Sequence, residues 1–158
     1  MLDILLEEGG NLMSTMWSSK SFRDGDLDLC LQQPECAVIS DTVAIANDGV
    51  LKDHIGSLSG YGWAARFLQY YVRDRNVLSL AEGLRKLTSI PAERLGLLNR
   101  GKLQIGYHAD ICVFDKASIA SNATARHPRR YASGMVHVLV NGQVAICLLY
   151  TSPSPRDS

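Results

Sequence analysis

The chain has 158 residues, 46% hydrophobic and 20% charged, which is enough apolar side chain for one globular unit with its own core. That length excludes a complete eight-stranded α/β barrel, which takes roughly 250 residues. Lys plus Arg and Asp plus Glu stand at 16 each, so no global field draws nucleic acid or an anionic membrane, and neither is expected as a partner.

Met1 to Glu8 reads as a helix end or a strand–helix junction, broken by Gly9-Gly10-Asn11, and Leu12 to Trp17 as a short strand or loop strand. Gly25-Asp26-Leu27-Asp28-Leu29 leads into a short helix with Leu27 and Leu31 among its apolar positions, ended by Pro34. The run Cys36-Ala37-Val38-Ile39-Ser40-Asp41 lacks polar alternation and so predicts a strand buried on both faces, as in a parallel sheet or barrel. Asp41 then stands at the carboxyl end of that strand, where barrels place their chemistry. An Asp just after a strand also suits a helix cap or a loop hydrogen bond.

Residues 42–60 contain Gly49, Gly56, Gly60 and the turn signal Asn47-Asp48-Gly49, and read as a long loop at the mouth of a site. From Gly62 to Arg75 the residues Trp63, Ala64, Phe67, Leu68, Tyr71 and Val72 recur with a helical period, and Arg73 and Arg75 suit the carboxyl end of a helix dipole. This helix is expected to pack on the strand. Ser79-Leu80-Ala81-Glu82 matches a capping box, after which Leu80, Leu84 and Leu87 give one apolar face. Ile90 to Gly96 reads as a shorter helix, with Pro91 in its first turn and Gly96 closing it.

Beyond Gly101 the period changes. Lys102–Ile105, Ala109–Phe114 and Met135–Ile146 are β-rich runs, the last broken by the hairpin signal Asn141-Gly142, and together they predict a small β appendage. Ser118 to Tyr131 reads as a polar surface excursion.

Cys30, Cys36, Cys112 and Cys147 form no metal or redox spacing, and their apolar neighbours predict buried free thiols. His54, His108, His127 and His137 likewise fall into no ligand spacing, so no metal ligand is assigned to this chain. His54 lies in the mouth loop and is a candidate for touching substrate. No secretory hydrophobic segment and no apolar stretch near 18 residues occurs, which favours the cytoplasm. From Cys147 to Ser158 the character changes abruptly to a Ser/Pro tail, of the kind left by translated sequencing-adapter sequence or by a disordered linker.

The order Ser40-Asp41, a Gly-bearing loop, Tyr61-Gly62-Trp63, Leu78-Ser79-Leu80-Ala81-Glu82, Leu87-Thr88, Pro91-Ala92-Glu93-Arg94-Leu95-Gly96-Leu97, Arg100-Gly101, Gly106, Ala109-Asp110, Val113-Phe114-Asp115 and Val140-Asn141-Gly142 resembles the carboxyl-terminal region of the N-acyl-D-amino-acid deacylases, or D-aminoacylases. These belong to the amidohydrolase superfamily. The resemblance runs from about residue 3 to about residue 145, and residues 78–115 are its most specific part. It implies an α/β fold: a C-terminal fragment of a TIM-barrel amidohydrolase over residues 1–100, part of the small β-sandwich appendage over 101–146, and a non-native or disordered tail over 147–158.

It also implies zinc in the parent enzyme, a small N-acyl amino acid as substrate, and the missing N-terminal part of the same chain as partner. Asp41 is then the catalytic aspartate, which takes a proton from metal-bound water and returns it to the leaving amine. Many relatives place His-Pro-Arg just before the Tyr-Gly, where the arginine can grip a substrate carboxylate. Here Ser57-Leu58-Ser59-Gly60 stands in that place, so either Lys52 or another loop group serves as the point charge for substrate binding, or this branch recognises a different acyl substrate. Two other readings remain open at this stage, a ring-opening enzyme of the hydantoinase or dihydroorotase type and a non-catalytic interaction module.

Overall fold

A computed structural model describes residues 23, 25–42, 45, 48–50, 52 and 59–147. The expectations for Met1 to Trp17 and for the tail beyond Cys147 lie outside the described residues. Helix α1 spans Asp26–Gln32, with Asp26 and Asp28 in its first turn, where carboxylates suit the helix dipole. Leu31 is buried as its position predicts, whereas Leu27 is largely exposed.

The helical period expected from Gly62 is present but begins at Ser59 and changes character midway. Helix α2 (Ser59–Phe67) runs directly into a π-helical segment, Leu68–Asp74, which buries Leu68 and Val72. Its wider turn leaves the Tyr71 carbonyl to accept the amides of Val77 and Leu78, at 2.8 and 3.3 Å. Helices α3 (Leu80–Leu87) and α4 (Ser89–Arg94) follow, close to the predicted bounds. Half of the capping box forms, because the Glu82 amide donates to Ser79 Oγ at 3.2 Å. The other half does not. The Glu82 carboxylate accepts from the Arg85 guanidinium one turn on, so it is not free to reach back to the Ser79 amide.

The core joins both halves of the chain. Leu31, Ala65, Phe67, Leu68, Val72 and Leu78 cluster with Ile119, and Leu80, Leu84, Leu87, Phe114 and Met135 pack against them. Residues 118–131 are therefore not only a surface excursion: Ile119 is 1% exposed. Arg73 holds this loop against the π-helical segment by donating to the carbonyls of Ala117 and Ile119 at 2.9 and 2.7 Å.

Strands β1 (Ile111–Phe114), β2 (Met135–Val140) and β3 (Gln143–Cys147) form an antiparallel sheet in the order β1-β2-β3. Cys112 pairs with Val138, and Val138 with Ile146. The hairpin turns at Asn141 and Gly142, with φ of 50° and 79°, the pair of left-handed residues that the Asn-Gly signal predicts. Lys102–Ile105 is not a strand. Leu103 and Ile105 are 83% and 101% exposed, and no described segment runs beside them. Among the described residues no helix is long and apolar enough to cross a membrane.

The doubly buried strand expected at Cys36–Asp41 is also not formed. The segment has no regular structure and joins no sheet, and Ile39 is 74% exposed. A strand buried on both faces needs a hydrogen-bonded neighbour on each side. Among the described residues none is present, and Val38 instead donates its amide to the Lys86 carbonyl at 3.0 Å. Among the described residues the chain thus consists of the expected helices packed on a small antiparallel sheet, without the strand expected at 36–41. All four thiols are free, but Cys30 and Cys112 are exposed and Cys36 and Cys147 only half-buried; Cys112 and Cys147 stand on the two outer strands of the sheet, β1 and β3.

Candidate active site

Basic side chains hold the approach to Asp41. Past the end of α1 the chain has four successive carbonyls with no helical partner, at Gln33, Pro34, Glu35 and Cys36. Lys86 Nζ donates to Gln33 at 2.6 Å and to Cys36 at 3.3 Å, Arg85 donates to Pro34 at 2.7 Å, and Arg94 donates to Glu35. Cations near a helix carboxyl end are favoured by its dipole, and these also satisfy backbone oxygens that no ladder takes up.

Asp41 itself has a φ of 43°. Asn76 and Asn141 are the other non-glycine residues in this region among those described, and they close a helix and a hairpin. Asp is among the few residues with a Cβ that enter the left-handed region readily. The exposed carboxylate of Asp41 makes no hydrogen bond or ion pair among the described residues. Beside it, Thr42 Oγ1 is buried with no partner among the described residues.

A cavity of about 490 Å³ opens against this segment, lined by Val38, Ile39, Ser40, Trp63, Arg66 and Ser121 among others. Arg66 lies over the Tyr70 ring, its guanidinium carbon 4.4 Å from the ring centroid. Tyr71 lines the same cavity, and burial, followed by the Asp28 carboxylate, raises its phenol above the ordinary value. It therefore faces the cavity as a neutral group. A larger cavity of about 580 Å³ between α2 and the sheet is lined by Tyr61, Trp63, Tyr131, Met135 and Val138, with no carboxylate, histidine or cation among the described residues that line it.

Lys52 is exposed, its amide bonded to the Gly49 carbonyl at 3.2 Å and its own carbonyl taken by the Arg129 guanidinium. No contact joins it to Asp41 among the described residues. His54 lies outside the described residues. The Tyr61 hydroxyl donates to the Ile45 carbonyl, so the loop after Asp41 is tied to the first turn of α2. Sequence reasoning missed Arg66, Lys86 and Thr42. Arg66 and Lys86 read as the polar positions of amphipathic helices, and Thr42 carries no spacing signal at all.

His108 donates its amide to Asn99, His127 exchanges backbone bonds with Thr124, and His137 sits in β2 opposite Cys147, so these three are dispersed. Among the described residues no three His, Cys, Asp or Glu side chains converge on a point that could hold a metal ion.

Residues 40–146 match the profile of the Amidohydrolase family, so that Ser40-Asp41 are the first residues matched. The D-aminoacylase of Alcaligenes xylosoxydans xylosoxydans is 41% identical over 98 residues, covering 62% of this chain and 20% of that protein. The N-acyl-D-glutamate deacylase of the same organism is 33% identical over 123 residues, covering 78% and 23%. Among solved structures, the N-acyl-D-glutamate deacylase of Bordetella bronchiseptica, complexed with zinc and a phosphonate mimic of the tetrahedral intermediate, superposes with a TM-score of 0.70 at 30% identity. That match covers 85% of this chain and 26% of the other. A D-aminoacylase structure matches with a TM-score of 0.59 at 36% identity, covering 69% and 23%. The chain therefore spans 20% to 23% of the length of these two sequence relatives.

Proposed function

Since the chain belongs to the amidohydrolase family, we propose that it is the carboxyl-terminal part of a deacylase that hydrolyses the amide bond of N-acyl-D-amino acids, with Asp41 moving the proton. In this reading residues 36–41 are the closing strand of a TIM barrel, and β1 to β3 belong to a small β-sandwich appendage. The observation that carries it is the likeness, at a TM-score of 0.70, to a deacylase whose bound inhibitor mimics the tetrahedral intermediate.

Zinc is named with that relative, but the residues described here do not fit a zinc site, since no ligand group converges among them. The part left to this chain is proton transfer. Asp41 presents a carboxylate without an ion-pair partner among the described residues, and it directly follows Ser40, which lines a cavity of about 490 Å³. As water adds to the amide carbon, its proton passes to Asp41. The same proton then goes from Asp41 to the amide nitrogen as the C–N bond breaks, giving a carboxylate and a free D-amino acid. Lys52 and His54 are proposed to meet the substrate from the loop after Asp41, and Arg66 lines the cavity as a further cation.

The test is made on the full-length protein that carries this segment. It should release free amino acid from N-acetyl-D-amino acids in preference to their L enantiomers, and Asp41→Asn should lower kcat by about 10²- to 10⁴-fold without unfolding the protein. A folded Asp41→Asn protein with unchanged kcat would overturn the role of Asp41, and absence of any amide hydrolysis by the wild type would overturn the reaction.

A further inference from the structure

We infer that Lys86 is a positioning residue for Asp41, an inference that rests on the hydrolase reading above. Lys86 is 1% exposed, the one charged side chain among the described residues that is fully buried. A lysine in such a place requires hydrogen bonds to compensate its lost hydration. Its ammonium finds two, and both are backbone carbonyls of the segment that leads to Asp41: Gln33 at 2.6 Å and Cys36 at 3.3 Å. Its own carbonyl accepts the Val38 amide at 3.0 Å. One residue therefore fixes the chain at three points, the last of them three residues before the carboxylate.

The base of this anchor is rigid. Lys86 stands on α3, whose Leu80, Leu84 and Leu87 pack on the core, so the segment is referred to the core rather than to solvent. Arg85 and Arg94 add bonds to Pro34 and Glu35, but both are partly exposed, with side chains 39% and 53% accessible. Lys86 alone reaches the segment from inside. A segment without a strand partner has no ladder to set its course, and a buried donor array on a helix does that work. Loosening it would let the Asp41 backbone leave φ 43°.

The test compares Lys86→Met, which keeps the bulk and removes the donors, with Lys86→Arg, which keeps donors. In this chain the Val38 amide of Lys86→Met should exchange with solvent at least about tenfold faster, while Val72 and Val138 keep their protection and Lys86→Arg stays near wild type. In the full-length enzyme Lys86→Met should lose about 10- to 100-fold in kcat with KM held within about twofold, because a misplaced carboxylate slows the chemistry without weakening substrate binding. Lys86→Gln, with a shorter arm and one donor group, is judged by the same criteria if the methionine variant does not fold. Unchanged exchange at Val38, a uniform rise at all three amides, or unchanged kcat in a folded variant would overturn the role of Lys86 alone. An inactive wild type would instead overturn the hydrolase reading, and this role with it.

Discussion

Gly83 shows how closely one residue can be dictated by a neighbour distant in sequence. A Cβ at this position would lie 2.6 Å from Val72 Cγ2, and Phe67 and Leu68 stand just beyond at 3.6 and 3.8 Å. The absent side chain lets α3 approach the π-helical segment, and it does so in mid-helix, where glycine costs about 1 kcal/mol relative to alanine. Gly83→Ala recovers that propensity but overpacks a site whose nearest atom belongs to a stiff, buried β-branched residue, at about 1–3 kcal/mol. The expected net effect is a loss of up to about 2 kcal/mol in urea unfolding. In a Val72→Ala background the clash is gone and the same change should be neutral or stabilising. Additive effects of the two substitutions would sink this account, since the contact predicts coupling. Sequence alone shows Gly83 as a flaw in an amphipathic pattern and Lys86 as a surface cation of the same helix. Neither role can be read there, because the deciding partner is a segment at least eleven positions away. Asp41 was singled out, by contrast, from an apolar run with an acidic end and from the motif order after it, neither of which needs knowledge of contacts.

At the scale of elements, the β-hairpin is fastened by Asp110. Its Oδ1 accepts the Asn141 amide at 2.8 Å, Arg100 pairs with its carboxylate and donates to Asn141 Oδ1 at 2.7 Å, and the Gly142 amide reaches the Ala109 carbonyl at 2.9 Å. The Asn141 amide first, and then the Arg100 guanidinium, hold the Asp110 carboxyl below its ordinary range. Asp115 is held low in the same way by the Ser118 hydroxyl and the Ala117 amide. A carboxyl whose folded pKa is depressed adds stability that is complete above the unfolded value of about 3.9 and is lost as pH falls through the folded value. Thermal midpoints should therefore drop on acidification below about pH 4, and the drop should be shallower in Asp110→Asn, which can still accept from the Asn141 amide. Equal pH slopes in the two proteins would count against it. The turn at Asn141-Gly142 and the helix start at Ser79 could be read from sequence, because each is encoded within four residues. The strands expected at 36–41 and 102–105 could not, since strand propensity is local whereas a strand exists only beside a partner. The π-helical segment was hidden for another reason: its apolar spacing is that of an ordinary amphipathic helix.

On the scale of the whole molecule, the chain presents a great deal of unpartnered apolar surface. Ile39, Leu98, Leu103 and Ile105 are between 74% and 101% exposed, and among the described residues the strand order leaves β1 and β3 as edges, with Val144 and Ile146 of β3 58% and 47% exposed. Open strand edges template pairing with another chain, and apolar surface beside them strengthens it. The balance of 16 basic and 16 acidic residues provides no net repulsion to keep copies apart. The 158-residue chain should thus self-associate at concentrations of about 10–100 µM in sedimentation velocity. Val144→Lys places a charge on the exposed edge without entering the core cluster, and should shift the distribution toward monomer. Leu103→Lys, on a segment that joins no sheet, should shift it less. A monomeric wild type would refute the expectation outright, and a larger effect of Leu103→Lys would move the association surface from the sheet edge to the loop before β1.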